Sequence, residues 1–188
     1  MTLLRTFIAL EMENGKVKEE IFRMQKELLS LGIEAKPVEQ MNLHFTLRFL
    51  GEIEESVTKR VTSALSEIKC EPFRVAYMGL GAFPSISHIN VVWVGVDETS
   101  SKNICSLWEK VELGLENVGL RREERFDPHL TILRIKSGLH RVELSDTLRK
   151  HSNTFFGEEQ VSKLKFKRSV LTPKGPIYSD LHILDFGG

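Results

Sequence analysis

The sequence predicts an α+β fold, one domain built as two similar lobes, and three observations carry that prediction. Helix-like and strand-like stretches interleave from one end of the 188 residues to the other. No linker-like or low-complexity segment divides them. The segment Leu43-His-Phe-Thr-Leu-Arg-Phe-Leu50 is matched in outline by Pro128-His-Leu-Thr-Ile-Leu-Arg134, and the two histidines stand 85 residues apart, nearly half the chain. Duplication of a strand-plus-helix unit would set two like strands about a pseudo-twofold axis, each offering a histidine to a shared cleft; no shorter, solenoid-like repeat is present.

Each element has its own signal. The opening run to Leu10 is apolar but interrupted by Arg5 and closed by Glu11, with no small-residue cleavage site behind it, so it reads as a first strand over 3–10. Val17, Ile21, Met24, Leu28 and Leu31 recur at helical spacing, and Gly32 stands where a left-handed cap would close a helix at about 15–31. Val57, Val61, Ala64, Leu65 and Ile68 give a second helix, with Ser56 as a candidate N-cap. Ile104, Trp108, Val111, Leu115 and Val118 give a third, between Thr99-Ser100-Ser101 and Gly119, and a short fourth is expected around 142–151. Strands are expected at 3–10, 43–50, 73–80, 89–96, 129–135, 161–171 and 177–186, most bounded by Gly, Pro or charged turns.

With 41% apolar and 28% charged residues the chain can bury a core as one domain. Twenty-six basic and twenty-six acidic residues cancel, so a bulk binder of long nucleic acid is excluded and any RNA contact must be local. No stretch approaches the roughly 20 apolar residues a bilayer needs. Cys70 and Cys105 lack CxxC or zinc-finger spacing and read as idle thiols in a reducing cytoplasm. A soluble, cytoplasmic protein is therefore expected, and a monomer.

The chemistry sits in the two matched strands. Side chains alternate faces along a strand, so His44, Thr46 and Arg48 share one face while Leu43, Phe45, Leu47 and Phe49 pack on the other. His129 and Thr131 likewise share a face, backed by Leu130 and Ile132. Strict alternation sends Arg134 with Leu130, so reaching the same cleft requires a bulge or strand end near Leu133. With six His and ten Thr, random placement gives about 0.3 His-x-Thr matches, so two in strand-like surroundings, each followed by an arginine, favour a functional pair over two packed or surface histidines. Neither motif has a carboxylate or second histidine at i+2 or i+4, as hydrolytic zinc sites do, and no G-x-S-x-G or G-x-x-x-x-G-K-[ST] run is present. Neither metal nor cofactor is expected.

Asn42-Leu-His-Phe-Thr-Leu-Arg-Phe-Leu-Gly-Glu52 and Phe126-Asp-Pro-His-Leu-Thr-Ile-Leu-Arg134 resemble the paired signatures of the two-histidine phosphoesterase superfamily, and within it the RNA 2′,3′-cyclic phosphodiesterase family, also called 2′-5′ RNA ligase. The likeness runs nearly end to end: Arg5 to Leu10, Phe83-Pro84 with Val91 to Gly95, and Ser169 to Tyr178 are similar to the family's first strand, middle and end. Ser87-His88 stands where members often carry an arginine, so no contact is carried over there. The resemblance implies a bilobed fold of antiparallel sheet with helices outside and a central groove. It implies opening of RNA 2′,3′-cyclic phosphate ends to 2′-phosphates without metal, and a weaker joining of RNA ends through a 2′-5′ bond. By that resemblance His44 is the acid and His129 the base. Thr46, Thr131, Arg48, Arg134 and Tyr178 are candidates for substrate and phosphate contacts, though Tyr178 reads equally well as a core residue.

Two other readings compete. One is a phosphodiesterase for a small cyclic nucleotide or ADP-ribose cyclic phosphate, separable by comparing a cyclic mononucleotide with a cyclic-phosphate oligomer. The other is a non-catalytic RNA- or nucleotide-binding module, against which the second intact motif argues. Lys163, Lys165 and Lys167 alternate on one strand face and read as an edge strand charged against aggregation rather than an RNA track. Arg121, Arg122 and Arg125 are blunted by Glu123 and Glu124, and His88, His140, His151 and His182 read as surface or packed residues. Phe7 reads as core.

Overall fold

The computed structural model describes residues 2–187. Its order is β1 (Leu3–Glu11), α1 (Gly15–Ser30), β2 (Ala35–Pro37), a 3₁₀ turn (Gln40–Asn42), β3 (His44–Glu54), α2 (Glu55–Ser66), β4 (Phe73–Ser85), β5 (His88–Val96), α3 (Glu98–Asn117), β6 (Leu130–Ile135), α4 (Arg141–Lys150), β7 (Phe155–Val161), β8 (Lys163–Thr172) and β9 (Gly175–Asp185). The strands form one antiparallel sheet in the order β7-β4-β5-β6-β3-β1-β8-β9, with β2 added alongside β6. Four strands lie on each side of the β6/β3 junction, so the expected two lobes are two halves of one sheet. The junction is narrow: its ladder is the single pair Phe45 and Leu130.

The helices form because their apolar positions repeat at 3.6 residues and have a sheet face to cover. Val17, Ile21, Met24 and Leu28 of α1 and Ile104, Leu107, Trp108, Val111 and Leu115 of α3 are buried, as are Phe45, Leu47, Leu130 and Ile132 on the facing sheet surface. Asn14 caps α1 by accepting from the Lys16 and Val17 amides, and Asp97 caps α3 by accepting from the Ser100 amide. α2 starts after Glu54, which provides no side-chain cap bond, so Ser56 lies inside the helix rather than capping it. The cleft lies at the β6/β3 junction.

Several strands outrun their expected ends. β3 continues through Gly51 to Glu54 and β4 through Gly79 and Gly81 to Ser85, because these glycines sit in or beside register shifts rather than ending the strands. Gly79, at φ +80°, marks the shift where the Gly79 and Leu80 amides leave the ladder and donate to the Thr154 and His151 carbonyls after α4. β7, an edge strand interrupted by Gly157 and charged by Glu158 and Glu159, and the three-residue β2 have no sequence counterpart in the expected set. β8 is not an edge strand: it pairs with both β1 and β9. Lys165 and Lys167 are drawn in beside Glu11 and Asp180 as an ion network that pins β1 to β8 and β9. Neither the edge-guard nor the RNA-track reading of those lysines holds.

Candidate active site

His44 opens β3 and His129 stands one residue before β6. Around the Phe45/Leu130 pair the antiparallel register sets His44 opposite Thr131 and Thr46 opposite His129, so each histidine faces the other motif's threonine. Both rings are anchored alike. The Asn42 carbonyl lies 2.6 Å from His44 Nδ1 and the Asp127 carbonyl 2.8 Å from His129 Nδ1. A carbonyl only accepts, so each Nδ1 donates, leaving each Nε2 as the nitrogen free to exchange a proton. Phe7 and Tyr178 pack against the His44 ring with centroids at 5.1 and 5.6 Å, Tyr178 in a T-shaped contact, and Phe83 and His129 make a T-shaped contact at 4.7 Å.

A β-bulge follows the threonine in each motif. In β3, Thr46 and Arg48 pair with consecutive residues of β1, Ala9 and Ile8, leaving Leu47 as the extra residue. In β6, Thr131 and Leu133 pair with Trp93 and Val92 of β5, leaving Ile132 extra. The extra residue shifts the alternation by one. Arg134 therefore reaches the cleft, as its sequence context required. The same shift overturns the expectation for Arg48, which turns to the helix side, while Phe49 enters the cleft in its place. Arg48 bonds the wholly buried Glu112 of α3 at 3.2 Å, Glu123 at 3.1 Å and the Arg121 carbonyl at 2.7 Å. Counted from the histidine, Arg48 matches Leu133, and Phe49 matches Arg134.

The histidines, threonines, Arg134 and Tyr178 all line one cavity of about 710 Å³, as do Phe7 and Phe49. Its charged lining is Arg5, Lys36, Arg134 and Lys174 against the single carboxylate of Glu39, a field suited to an anion. Of these Arg5, Lys36 and Lys174 carried no sequence signal, and strict alternation sends Phe49 to the opposite, apolar face, an expectation the Leu47 bulge overturns. Arg5 lies over the Phe49 ring, 4.8 Å from its centroid. Ser87, His88, His140, His151 and His182 lie outside the lining. Burial lowers the His44 pKa below the ordinary imidazole value; the Asn42 carbonyl and Glu11 oppose this, and Lys167 and Arg134 add to it. Burial pushes the Glu11 carboxyl up, but Lys165 and Lys167 more than offset it and hold it below the usual range. Burial also raises the Tyr178 phenol. Among the described residues no three His, Cys, Asp or Glu side chains gather as a metal-ligand set, and no helix is long and apolar enough to cross a membrane.

Two like half-sheets, each lending a His-x-Thr strand to one cationic cavity, define a two-histidine phosphoesterase architecture. The family model described as LigT-like phosphoesterase matches the chain twice, over residues 12–93 and 94–178, one motif in each match. Proteins named RNA 2′,3′-cyclic phosphodiesterase are similar along the whole length. The one from Archaeoglobus fulgidus is 39% identical over 97% of this chain and 100% of its own, and that from Aquifex aeolicus is 38% identical over all of both. A crystal structure from Thermus thermophilus superposes with a TM-score of 0.80 at 26% identity, covering 98% of this chain and 99% of that one. E. coli LigT complexed with 3′-AMP superposes at 0.77 and 19% identity over 100% of both, which bears on the fold alone. This chain belongs to the LigT-like phosphoesterase family.

Proposed function

We infer that this protein is an RNA 2′,3′-cyclic phosphodiesterase that opens cyclic ends to 2′-phosphomonoesters by acid-base catalysis between His44 and His129. The observation that carries this reading is the pair of His-x-Thr strands meeting across one cation-lined cavity, with both Nε2 atoms left free by carbonyl-anchored Nδ1 donors. Relatives bearing that name at 38–39% identity support the reaction class.

Hydrolysis of a cyclic phosphodiester needs a proton removed from water on one side of phosphorus and one delivered to the departing ribose oxygen on the other. His129 takes the water proton as the new P–O bond forms. His44, as imidazolium, gives its proton to the 3′ oxygen as the P–O3′ bond breaks, leaving a 3′-hydroxyl and a 2′-phosphate. Thr46 and Thr131 donate to the non-bridging oxygens, and Arg134 offsets the charge that grows there. Tyr178 lines the same cavity, its hydroxyl without a side-chain partner among the described residues and so open to the substrate, and its ring packs edge-to-face with that of His44. If a 5′-hydroxyl of a second RNA replaces water, the same two proton transfers produce a 2′-5′ phosphodiester, the proposed side activity. The free thiols of Cys70 and Cys105 support a cytoplasmic setting.

The assignment of roles has a chemical test. A substrate with sulfur in place of the 3′ oxygen loses a thiolate, which needs little protonation to depart. On it His44→Ala is expected to recover much of its lost rate while His129→Ala stays slow. Recovery by His129→Ala instead reverses the two roles, and recovery by neither removes leaving-group protonation as the lost step.

A further inference from the structure

A cyclic-phosphate mononucleotide carries one phosphate to the reacting centre, and the His-x-Thr pair with Arg134 suffices to hold it. The cavity holds more positive charge than that. Lys36 is the direct β2 partner of Arg134 on β6, so both side chains leave the sheet on the same face; β5 holds the other edge of Arg134, so β2 lies on the edge of β6 that faces the other half of the sheet. From the other half of the sheet, the turn between β8 and β9 brings Lys174 into the same lining. The two halves close on each other here: Lys36 Nζ lies 3.5 Å from where a Cβ on Gly175 would stand. Neither lysine has an ion-pair or side-chain hydrogen-bond partner among the described residues, unlike Lys165 and Lys167, whose charges are spent on Glu11 and Asp180. Both are exposed, and Glu39 is the one carboxylate of the lining. Pro37, Leu171 and Ile177 border them with apolar surface.

We propose that Lys36 and Lys174 form a second phosphate subsite, which takes the internucleotide phosphodiester on the 5′ side of the terminal nucleotide and makes the enzyme selective for RNA chains over cyclic mononucleotides. The proposal rests on the cyclic phosphodiesterase reading of the same cavity. In an RNA end the next phosphate lies one ribose unit from the cyclic one, joined through the terminal 5′ oxygen. A second anion held beside Arg134, between the two halves of the sheet, meets two ammoniums otherwise without partners. The contacts are solvent-facing, so they are weakened by salt.

The test compares kcat/KM on three substrates: a 2′,3′-cyclic mononucleotide with a free 5′-hydroxyl, the cyclic-phosphate dinucleotide, and that dinucleotide with an uncharged methylphosphonate linkage. The wild type is expected to favour the charged dinucleotide by about tenfold over the other two, the order two exposed charge contacts supply. In Lys36→Gln/Lys174→Gln that ratio is expected to fall to within about twofold of unity. An equal kcat/KM for mononucleotide and dinucleotide in the wild type overturns the subsite, as does an advantage that survives the methylphosphonate or the double substitution. Turnover of none of the three by the wild type would instead remove the phosphodiesterase reading, and the subsite with it.

Discussion

At His44, burial is the dominant influence on the proton, and it disfavours the imidazolium. The ring's titration, followed by NMR, is therefore expected below the ordinary value of about 6.5, and the limb of the kcat/KM profile that His44 governs should fall on the same side. A cyclic phosphate monoanion bound beside it acts oppositely, so the His44 titration should move up on adding a non-hydrolysable phosphate ligand. A free-protein titration above about 6.5 would contradict a burial-dominated environment for His44. Arg48 is set by the bulge. Alternation put it beside His44, and only the unpaired Leu47 shows that it belongs to Glu112. It is buried structure, not substrate contact, so Arg48→Ala should leave the wholly buried Glu112 without its counter-charge and cost about 3–5 kcal/mol. Thermal melts check this: Arg48→Ala should melt well below the wild type, and Arg48→Met/Glu112→Leu should recover most of the loss. An unchanged melt for Arg48→Ala would mean that the pair contributes nothing.

At the scale of elements, the histidines and threonines were legible because period-two alternation holds from the histidine to the threonine in each strand. It fails one residue later. No residue type announces the bulges at Leu47 and Ile132, so a nearest-arginine match paired Arg48 with Arg134 although they stand four and five residues after their histidines. α1 and α4 were legible to within a residue and α2 to within two because their apolar stripes face a continuous sheet, while α3 starts earlier than expected, capped by Asp97 with Thr99-Ser100-Ser101 inside it; β7 and β2 were not legible, being short, polar or glycine-broken. The bulge in β6 has its own support. Buried Gln25 of α1 donates from Nε2 to the carbonyl of the extra residue, Ile132, at 2.8 Å and to the Val38 carbonyl at 2.9 Å. It thereby fixes both the strand that turns Arg134 and the segment after β2. Gln25→Leu leaves those carbonyls without their side-chain donor, at a cost of about 1–3 kcal/mol. It should also lower kcat on a cyclic-phosphate substrate in protein that is still folded. Full activity with only a lower melting temperature would limit Gln25 to a structural role.

Across the whole molecule, one sheet carries two copies of one strand motif, and the narrow junction at Phe45 and Leu130 brings the copies together. The cavity lies at that junction, with the β8–β9 hairpin forming one of its walls. The duplication could be read from 85 residues of spacing, and the twofold match of the family model agrees with it. The cations at the rim could not, since Arg5, Lys36 and Lys174 reach the cavity only through strand order and a hairpin that sequence does not reveal. The proposed reaction at this junction is the opening of a cyclic phosphate by two histidines without metal. Its most direct test is to incubate the purified protein in EDTA with an RNA oligonucleotide ending in a 2′,3′-cyclic phosphate, beside folded His44→Ala and His129→Ala, and to identify the phosphomonoester formed. The wild type is expected to leave a 2′-phosphate end, undiminished by EDTA, and each variant to lose at least about a hundredfold, the lower bound for removing general acid-base catalysis. A cyclic end that stays intact, or that opens only when a divalent ion is restored, would contradict that reaction.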